Sequence, residues 1–509
     1  MNSTSSTTES QVAPPAKDWR RKEIGLAFGN AVRLGSSLIL TWGIALVTRL
    51  YVPRYLGPER FGILNFAEAF TATAFVFMGL GLDTYVRKEL SVRPEHASDF
   101  IGGVIAIRSI LLVGVFAAMH IVLAATHRPV DVIWIVYIYG LAQFFTVGSA
   151  TSAGILQAAG KVRGQSILSV VVKLLWAACT FLAVYFRLGL WAFALTFMLS
   201  EGVKSLAFFW LAKRELRFET RVDLKGTGRV LLASLPFFVS GLATTIYDKI
   251  GVNLLAFMTN NREVGWLGAA NGLAGITMLL TPVVSWVLIP LMARSYAICA
   301  DEFYKIVRRT MELIVGLATP VSLMMALGAD VWVKLFFGAQ FAPSAMSLRV
   351  IAISTALMYL TMLLFYALAV LNYTWRITFA FVGGVIINPT CLLLIMKPLI
   401  TRIGPGGGGV ACAIATLVTE IGIILSLIAL LGKRGFDRRL VFAFGKFAGS
   451  VLAVVALHTL VLGGCGPWRL VVDAIAYVGL MFATRAVNIP ELIKAAKVIL
   501  ESRRAKLAS

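Results

Sequence analysis

Four histidines and five cysteines are all that 509 residues offer a metal centre or a disulfide framework, and the cysteines, Cys179, Cys299, Cys391, Cys412 and Cys465, form no Cys-x-x-Cys pair. They fall mostly in apolar runs and read as small core residues, so neither a metal site nor a disulfide is expected. No Gly-x-x-x-x-Gly-Lys-Ser/Thr run occurs, and no stretch between apolar runs is long enough for a soluble nucleotide-binding domain. Charge itself is scarce: 14% of residues are Asp, Glu, Lys or Arg, against 59% hydrophobic residues and a mean hydropathy of +0.84. A soluble domain cannot cover that much apolar surface, and only helices or closed barrels satisfy their backbone inside lipid. The apolar runs are too long for barrel strands, so the chain reads as an all-α integral membrane protein.

Runs of about 20 apolar residues, the length that crosses the hydrocarbon layer, recur almost end to end. Fourteen helices are predicted, at 24–48, 60–80, 100–124, 132–155, 165–186, 190–212, 230–257, 264–291, 305–328, 347–369, 374–396, 408–431, 440–462 and 468–486.

Acidic residues are few, 25 against 47 Lys and Arg, for a net charge of +22. Such an excess suggests nucleic acid until the positions are examined. With the N-terminus inside, the inner segments hold 30 of the basic residues and the outer segments 10, the other seven lying within or at the edges of spans. This positive-inside distribution predicts cytoplasmic termini and accounts for the charge without nucleic acid. Residues 1–22 read as a polar, disordered cytoplasmic tail with no signal-peptide core, and residues 488–509 as a second cytoplasmic tail.

The most basic inner loop, 213–229, separates a first lobe of helices 1 to 6 (23–212) from a second of helices 7 to 12 (230–432). The halves show ordered self-similarity. Phe61-Gly62-Ile63-Leu64 answers Val264-Gly265-Trp266-Leu267, Gly160-Lys161-Val162-Arg163 answers Tyr373-Thr374-Trp375-Arg376, and Ser200-Glu201 answers Thr419-Glu420. Both halves begin on the same side, so the lobes are related by a pseudo-two-fold along the membrane normal, an arrangement suited to rocking around a central cavity. Residues 433–487, helices 13 and 14, have no counterpart and read as an added pair. The run from Gly404 to Gly409 has no following Lys-Ser/Thr and reads as a flexible outer loop. Pro236, Pro282, Pro320 and Pro389 fall inside spans as candidate kinks.

Thr48-Arg49-Leu50-Tyr51-Val52-Pro53-Arg54-Tyr55-Leu56-Gly57-Pro58-Glu59-Arg60-Phe61-Gly62, followed by Gly79-Leu80-Gly81-Leu82-Asp83-Thr84-Tyr85-Val86-Arg87, resembles the opening of the polysaccharide-transporter branch of the multidrug/oligosaccharidyl-lipid/polysaccharide exporter superfamily. The resemblance implies two six-helix lobes and a role in flipping lipid-linked oligosaccharide units across the bacterial inner membrane. It also implies polysaccharide polymerase and chain-length machinery as partners beside the bilayer itself.

A charged side chain at mid-span costs roughly 2.5 to 3.5 kcal/mol by insertion scales, so a set of them needs partners or a wet cavity. Arg33, Arg108, Lys173, Lys204 and Lys249 are the cations within spans and Glu68, Glu201, Asp248 and Glu420 the acids. The functional reading places the cations around a cavity as ligands for the phosphates and anionic sugars of a polyprenyl-linked glycan. The structural reading pairs them with the acids to orient helices. Glu201 and Lys204, at i and i+3, are expected to neutralise each other, whereas Glu420 lacks the matching cation and is a candidate for proton or sodium coupling. Adjacent Asp248 and Lys249 project about 100° apart on a helix and are expected not to form a simple pair. Asp83 and Arg87, at i and i+4, are a candidate gating pair.

Three activities compete. A flippase for lipid-linked oligosaccharide, with a precursor of peptidoglycan as an alternative cargo, fits the cationic set. A cation-coupled multidrug antiporter fits it less well, because the same cations repel cationic drugs. A polymerase or glycosyltransferase is disfavoured because the outer loops are short, the longest being 329–346. No cofactor is expected, so energy comes from ion gradients or the membrane potential, worth about 2.3 kcal/mol per charge per 100 mV.

Overall fold

The computed structural model describes residues 16–82, 97–216, 222–278, 281, 292, 294–296, 299–462 and 466–484. Among these the chain is all-helical, with elements α1 (Ala16–Gly79), α2 (Ala97–Ala125), α3 (Val130–Ala158), α4 (Val162–Tyr185), α5 (Leu190–Leu216), α6 (Leu224–Met258) and α7 (Asn261–Thr277). They continue with α8 (Ala300–Leu327), α9 (Ala329–Phe337), α10 (Ser344–Val370), α11 (Thr374–Ile403), α12 (Gly407–Leu431), α13 (Arg438–Leu460) and α14 (Arg469–Ala483). Eleven segments among the described residues are long and apolar enough to cross a membrane. The first, Arg33–Gly79, has 47 residues, about 70 Å at 1.5 Å per residue, more than twice the hydrocarbon thickness of about 30 Å. It is two crossings joined at Gly57, whose φ of 74° and ψ of 168° break the helix between Pro53 and Pro58. Counting both arms gives twelve such crossings among the described residues, against the fourteen expected; α6 and the 17 residues of α7 stand where the other two are expected but are not among the segments long and apolar enough.

That junction corrects the sequence reading. A loop is expected at 49–59, yet helical backbone continues through Arg49 and Arg54 up to the single left-handed glycine. Proline at 58 opens the second arm because the first turn of a helix has no donor to lose.

The two halves pack alike. α3 lies on α5 in the first lobe as α10 lies on α12 in the second, and the first arm of α1 meets α4 as α6 meets α11. Across the lobes α1 packs along α7 and α6. The largest buried cluster, including Phe66, Phe75, Val136, Leu255, Leu267, Leu392 and Ala411, runs through both lobes. α13 and α14 dock on α8 around Leu323, Phe447, Val454 and Tyr477, where His458 Nδ1 lies 2.6 Å from Asp473 Oδ2.

Two further expectations change. The glycine run is no flexible loop: Gly404 and Gly406 take φ of 75° and 88°, and α12 starts at Gly407. The Glu263 carboxylate accepts the backbone N–H groups of Gly406, Gly408 and Gly409 at 2.7, 3.1 and 3.3 Å, satisfying the orphan donors of a helix start. Of the cysteines, Cys412 is buried, whereas Cys179 is exposed and Cys391 half-buried on outward-turned helix faces, and Cys299 is exposed in extended backbone just before α8; Cys465 lies outside the described residues. Helix also enters the expected linker 213–229 from both sides, α5 running on to Leu216 and α6 starting at Leu224, while residues 217–221 lie outside the described residues.

Candidate functional site

A cavity of about 420 Å³ lies between the lobes. The first arm of α1 contributes Arg49, its second arm Asn65 and Glu68, α4 Lys173 and Trp176, α6 Tyr247, Asp248 and Lys249, α7 Asn271 and α11 Asn388. Mid-membrane charge is therefore gathered at one place from both halves.

Its electrostatics are specific. Arg49 Nη2 stands 3.6 Å from Glu68 Oε1, and Lys249 Nζ 2.8 Å from Asp248 Oδ2. Lys173 has no carboxylate partner among the described residues; its ammonium rests 3.8 Å from the centroid of the Trp176 ring, one helical turn along α4. Two compensated pairs and one uncompensated cation leave this constellation at +1. Asn388, 2% exposed, points a buried Oδ1 that lacks a hydrogen-bond partner among the described residues. Such an acceptor is satisfied by a hydroxyl or N–H from whatever enters.

The remaining candidates lie elsewhere. Arg33 is exposed on the first arm of α1, outside the cavity lining. Arg108 is 6% exposed and also outside it: Nε donates to Met78 O at 2.9 Å, Nη1 to Thr151 Oγ1 at 3.0 Å and Nη2 to Gly79 O at 3.4 Å. It satisfies the carbonyls at the end of α1, where the helix dipole favours a cation. Lys204 bonds Glu201 at 2.8 Å, and Thr146 donates to the same carboxylate oxygen at 3.2 Å, away from the lining. Glu420, 2% exposed, accepts from Tyr247 Oη at 2.9 Å and Thr361 Oγ1 at 2.5 Å. Asp83 and Arg87 lie outside the described residues. The Asp248–Lys249 pair corrects the expectation from helix angle alone, since a four-carbon stem lets the ammonium curl back to its neighbour.

Arg49, Trp176, Asn271 and Asn388 escaped the sequence reading. Arg49 is legible as a cation, but the loop expected at 49–59 hides its place in a span; Trp176 at i+3 from Lys173 is the sequence signal for a ring beneath the ammonium.

The cavity is closed at the Gly57 end. Gly62 and Gly265, which occupy matching places in the two halves, let α1 and α7 touch backbone to backbone. A Cβ on Gly62 would stand 1.7 Å from Asn261 O, and one on Gly265 1.9 Å from Pro58 O. Glu59 pairs with Arg262 at 3.2 Å across the same seam. Above it Gln340 joins both lobes, donating to Arg54 O at 3.3 Å and accepting from Trp266 Nε1 at 3.0 Å. At the opposite end Ser234 donates to Leu80 O at 2.7 Å, so α6 also rests on the first lobe there.

Residues 29–296, more than half the chain, match the family described as "Polysaccharide biosynthesis protein". The chain belongs to this family. A relative named "Putative O-antigen transporter", from Escherichia coli (strain K12), is 22% identical over 335 residues, covering 63% of this chain and 77% of that protein. The fold is similar to that of lipid II flippase MurJ in an inward closed conformation, with a TM-score of 0.71, 13% identity, and coverage of 91% of this chain and all of the other. An inward-facing multidrug MATE transporter of the MOP superfamily gives a TM-score of 0.63 at 15% identity, over 77% of this chain and 95% of that one. This polysaccharide biosynthesis protein is thus a multi-pass membrane chain with the fold of those structures.

Proposed function

We propose that the protein flips polyprenyl-pyrophosphate-linked oligosaccharide units from the cytoplasmic to the outer leaflet of a bacterial inner membrane, with both termini cytoplasmic. The observation that carries this is Lys173, a cation without a carboxylate partner among the described residues, inside a cavity shared by both lobes. An uncompensated ammonium in a partly dehydrated hollow attracts phosphate, and Arg49 on the facing arm supplies a planar second donor once its 3.6 Å contact with Glu68 opens. The rest of the lining suits sugars: the amides of Asn65, Asn271 and Asn388 and two carboxylates meet hydroxyls, and Trp176 and Tyr139 offer flat apolar faces. The cavity holds a diphosphate and its first sugars rather than a whole repeat unit, so the distal glycan extends beyond it.

A peptidoglycan precursor presents the same diphosphate, and the likeness to lipid II flippase keeps that cargo as the second reading. The family match favours polysaccharide units. Translocation of a fluorescent polyprenyl-pyrophosphoryl oligosaccharide in reconstituted vesicles tests the proposal, with lipid II in parallel. The wild-type protein is expected to move the former faster; movement of neither would overturn the reading.

A further inference from the structure

We propose that Glu420 is the proton-carrying group of this transporter, charged and discharged through Tyr247, so that protons move inward as the glycan lipid moves outward. The inference rests on the flippase reading and supplies its energy source.

Equivalent places in the two halves hold a carboxylate each. Glu201 on α5 and Glu420 on α12 each accept a hydrogen bond from a threonine on the helix packed alongside, Thr146 of α3 and Thr361 of α10. The third partner differs. Glu201 has Lys204 at 2.8 Å, whereas Glu420 has Tyr247 Oη at 2.9 Å. An ammonium only donates and brings a compensating charge, so Glu201 stands beside a cation. Tyrosine and threonine hydroxyls donate or accept by rotating. Ionised, Glu420 accepts from both; protonated, it donates to one oxygen and still accepts from the other hydroxyl. One lobe therefore carries a carboxylate with a cation beside it, and the other a carboxylate whose two hydroxyl partners serve both charge states.

Having no cationic partner among the described residues gives Glu420 a reason to take a proton. It is 2% exposed within the membrane part of α12, where a lone carboxylate is costly and neutralisation removes the cost. Of the helices packed on α12, α6 brings Tyr247, with Asp248 and Lys249 next along it in the cavity, and α10 brings Thr361. Glu263 of α7 lies at the far start of α12 against Gly406 to Gly409, and the charges of α10 and α11, Arg349, Arg376, Lys397 and Arg402, sit toward their helix ends, none of them touching the carboxylate. Tyr247 also gives the route, because it lines the cavity while donating to Glu420. Proton transfer needs no other reactant: the carboxylate gains H⁺ from the cavity when this opens outward and returns it when the cavity opens inward.

The experiment uses the full chain in vesicles enclosing a pH-sensitive dye, with the labelled polyprenyl-pyrophosphoryl oligosaccharide and an imposed pH difference of one unit, acidic on the destination side. For one-to-one exchange the steady-state ratio of labelled lipid between leaflets is expected to rise up to tenfold over that without a gradient, with dye-reported proton entry. Glu420→Gln keeps a donor and an acceptor for Thr361 and Tyr247 but cannot titrate; it should still equilibrate the lipid, with no gradient response and no proton entry. Tyr247→Phe should slow proton entry severalfold. Wild-type flipping with no gradient response, or a Glu420→Gln variant that responds as wild type does, would overturn the coupling while leaving the flippase reading intact. Absence of wild-type flipping would instead sink that reading. If the folded Glu420→Gln variant flips nothing, proton release on substrate addition to purified protein decides: about one proton from wild type and none from the variant supports the proposal, and equal release overturns it.

Discussion

At the scale of single residues, Lys173 and Arg108 are indistinguishable in sequence, each a cation some eight or nine positions into an apolar run. Their surroundings separate them, one ammonium lying over Trp176 in the cavity and one guanidinium bound to the last carbonyls of α1. Hydrogen bonds to charged groups contribute about 1.5 to 3 kcal/mol, and 1.4 kcal/mol is tenfold. Lys173→Gln should thus slow translocation about tenfold or more with protein abundance and thermal midpoint unchanged. Arg108→Ala should do the reverse, lowering the thermal midpoint in detergent through a loss of about 1 to 3 kcal/mol for unsatisfied carbonyls, with the rate per folded molecule retained. Equal effects of the two substitutions on rate and stability would contradict the assignment.

At the scale of elements, the start of α12 is held by a side chain from α7. Removing Glu263 leaves the N–H groups of Gly406, Gly408 and Gly409 buried without their acceptor. Glu263→Ala is expected to cost about 3 kcal/mol, read as a lower thermal midpoint, and Glu263→Gln less, because one oxygen remains. α14 is tied to α9 by Arg469, which donates to Asp330, with Arg349 also near it at 3.7 Å. Partial burial raises the Asp330 pKa, but the Arg469 hydrogen bond and charge outweigh it and hold the carboxyl below its usual range. A lowered folded pKa adds stability above the unfolded value of about 3.9 and forfeits it as pH falls through the folded one. Asp330→Asn should therefore lower the thermal midpoint near neutral pH, and the difference from wild type should shrink below about pH 4. The glycine run shows what a local reading misses: composition described it as a loop, and only the carboxylate from 143 residues away makes it an ordered helix start.

At the scale of the molecule, the seam of Gly62 and Gly265 decides whether the cavity is closed at the Gly57 end. A methyl group on either would meet a backbone carbonyl within 2 Å, which no rotamer change relieves. Gly62→Ala or Gly265→Ala should shift the population toward lobes parted at that end. Spin labels at positions 59 and 262, at the ends of the ion pair that bridges the seam, are expected to show a longer mean distance in either variant. An unchanged distance distribution would mean that the seam is not the gate.

The all-helical membrane class, the two similar halves and the charges set within apolar runs are legible in the amino-acid sequence, because each follows from how short stretches of chain partition between water and lipid. Tertiary structure alone decided which of those charges meet: Arg49 with Glu68 and Lys249 with Asp248 in a shared hollow, Lys173 over a tryptophan, Arg108 on a helix end, and Glu420 between two hydroxyls. The reason is one of range. Burial propensity is written every few residues, whereas the partner of a buried polar group comes from a helix that can be anywhere along the chain, and only packing brings it within hydrogen-bonding distance.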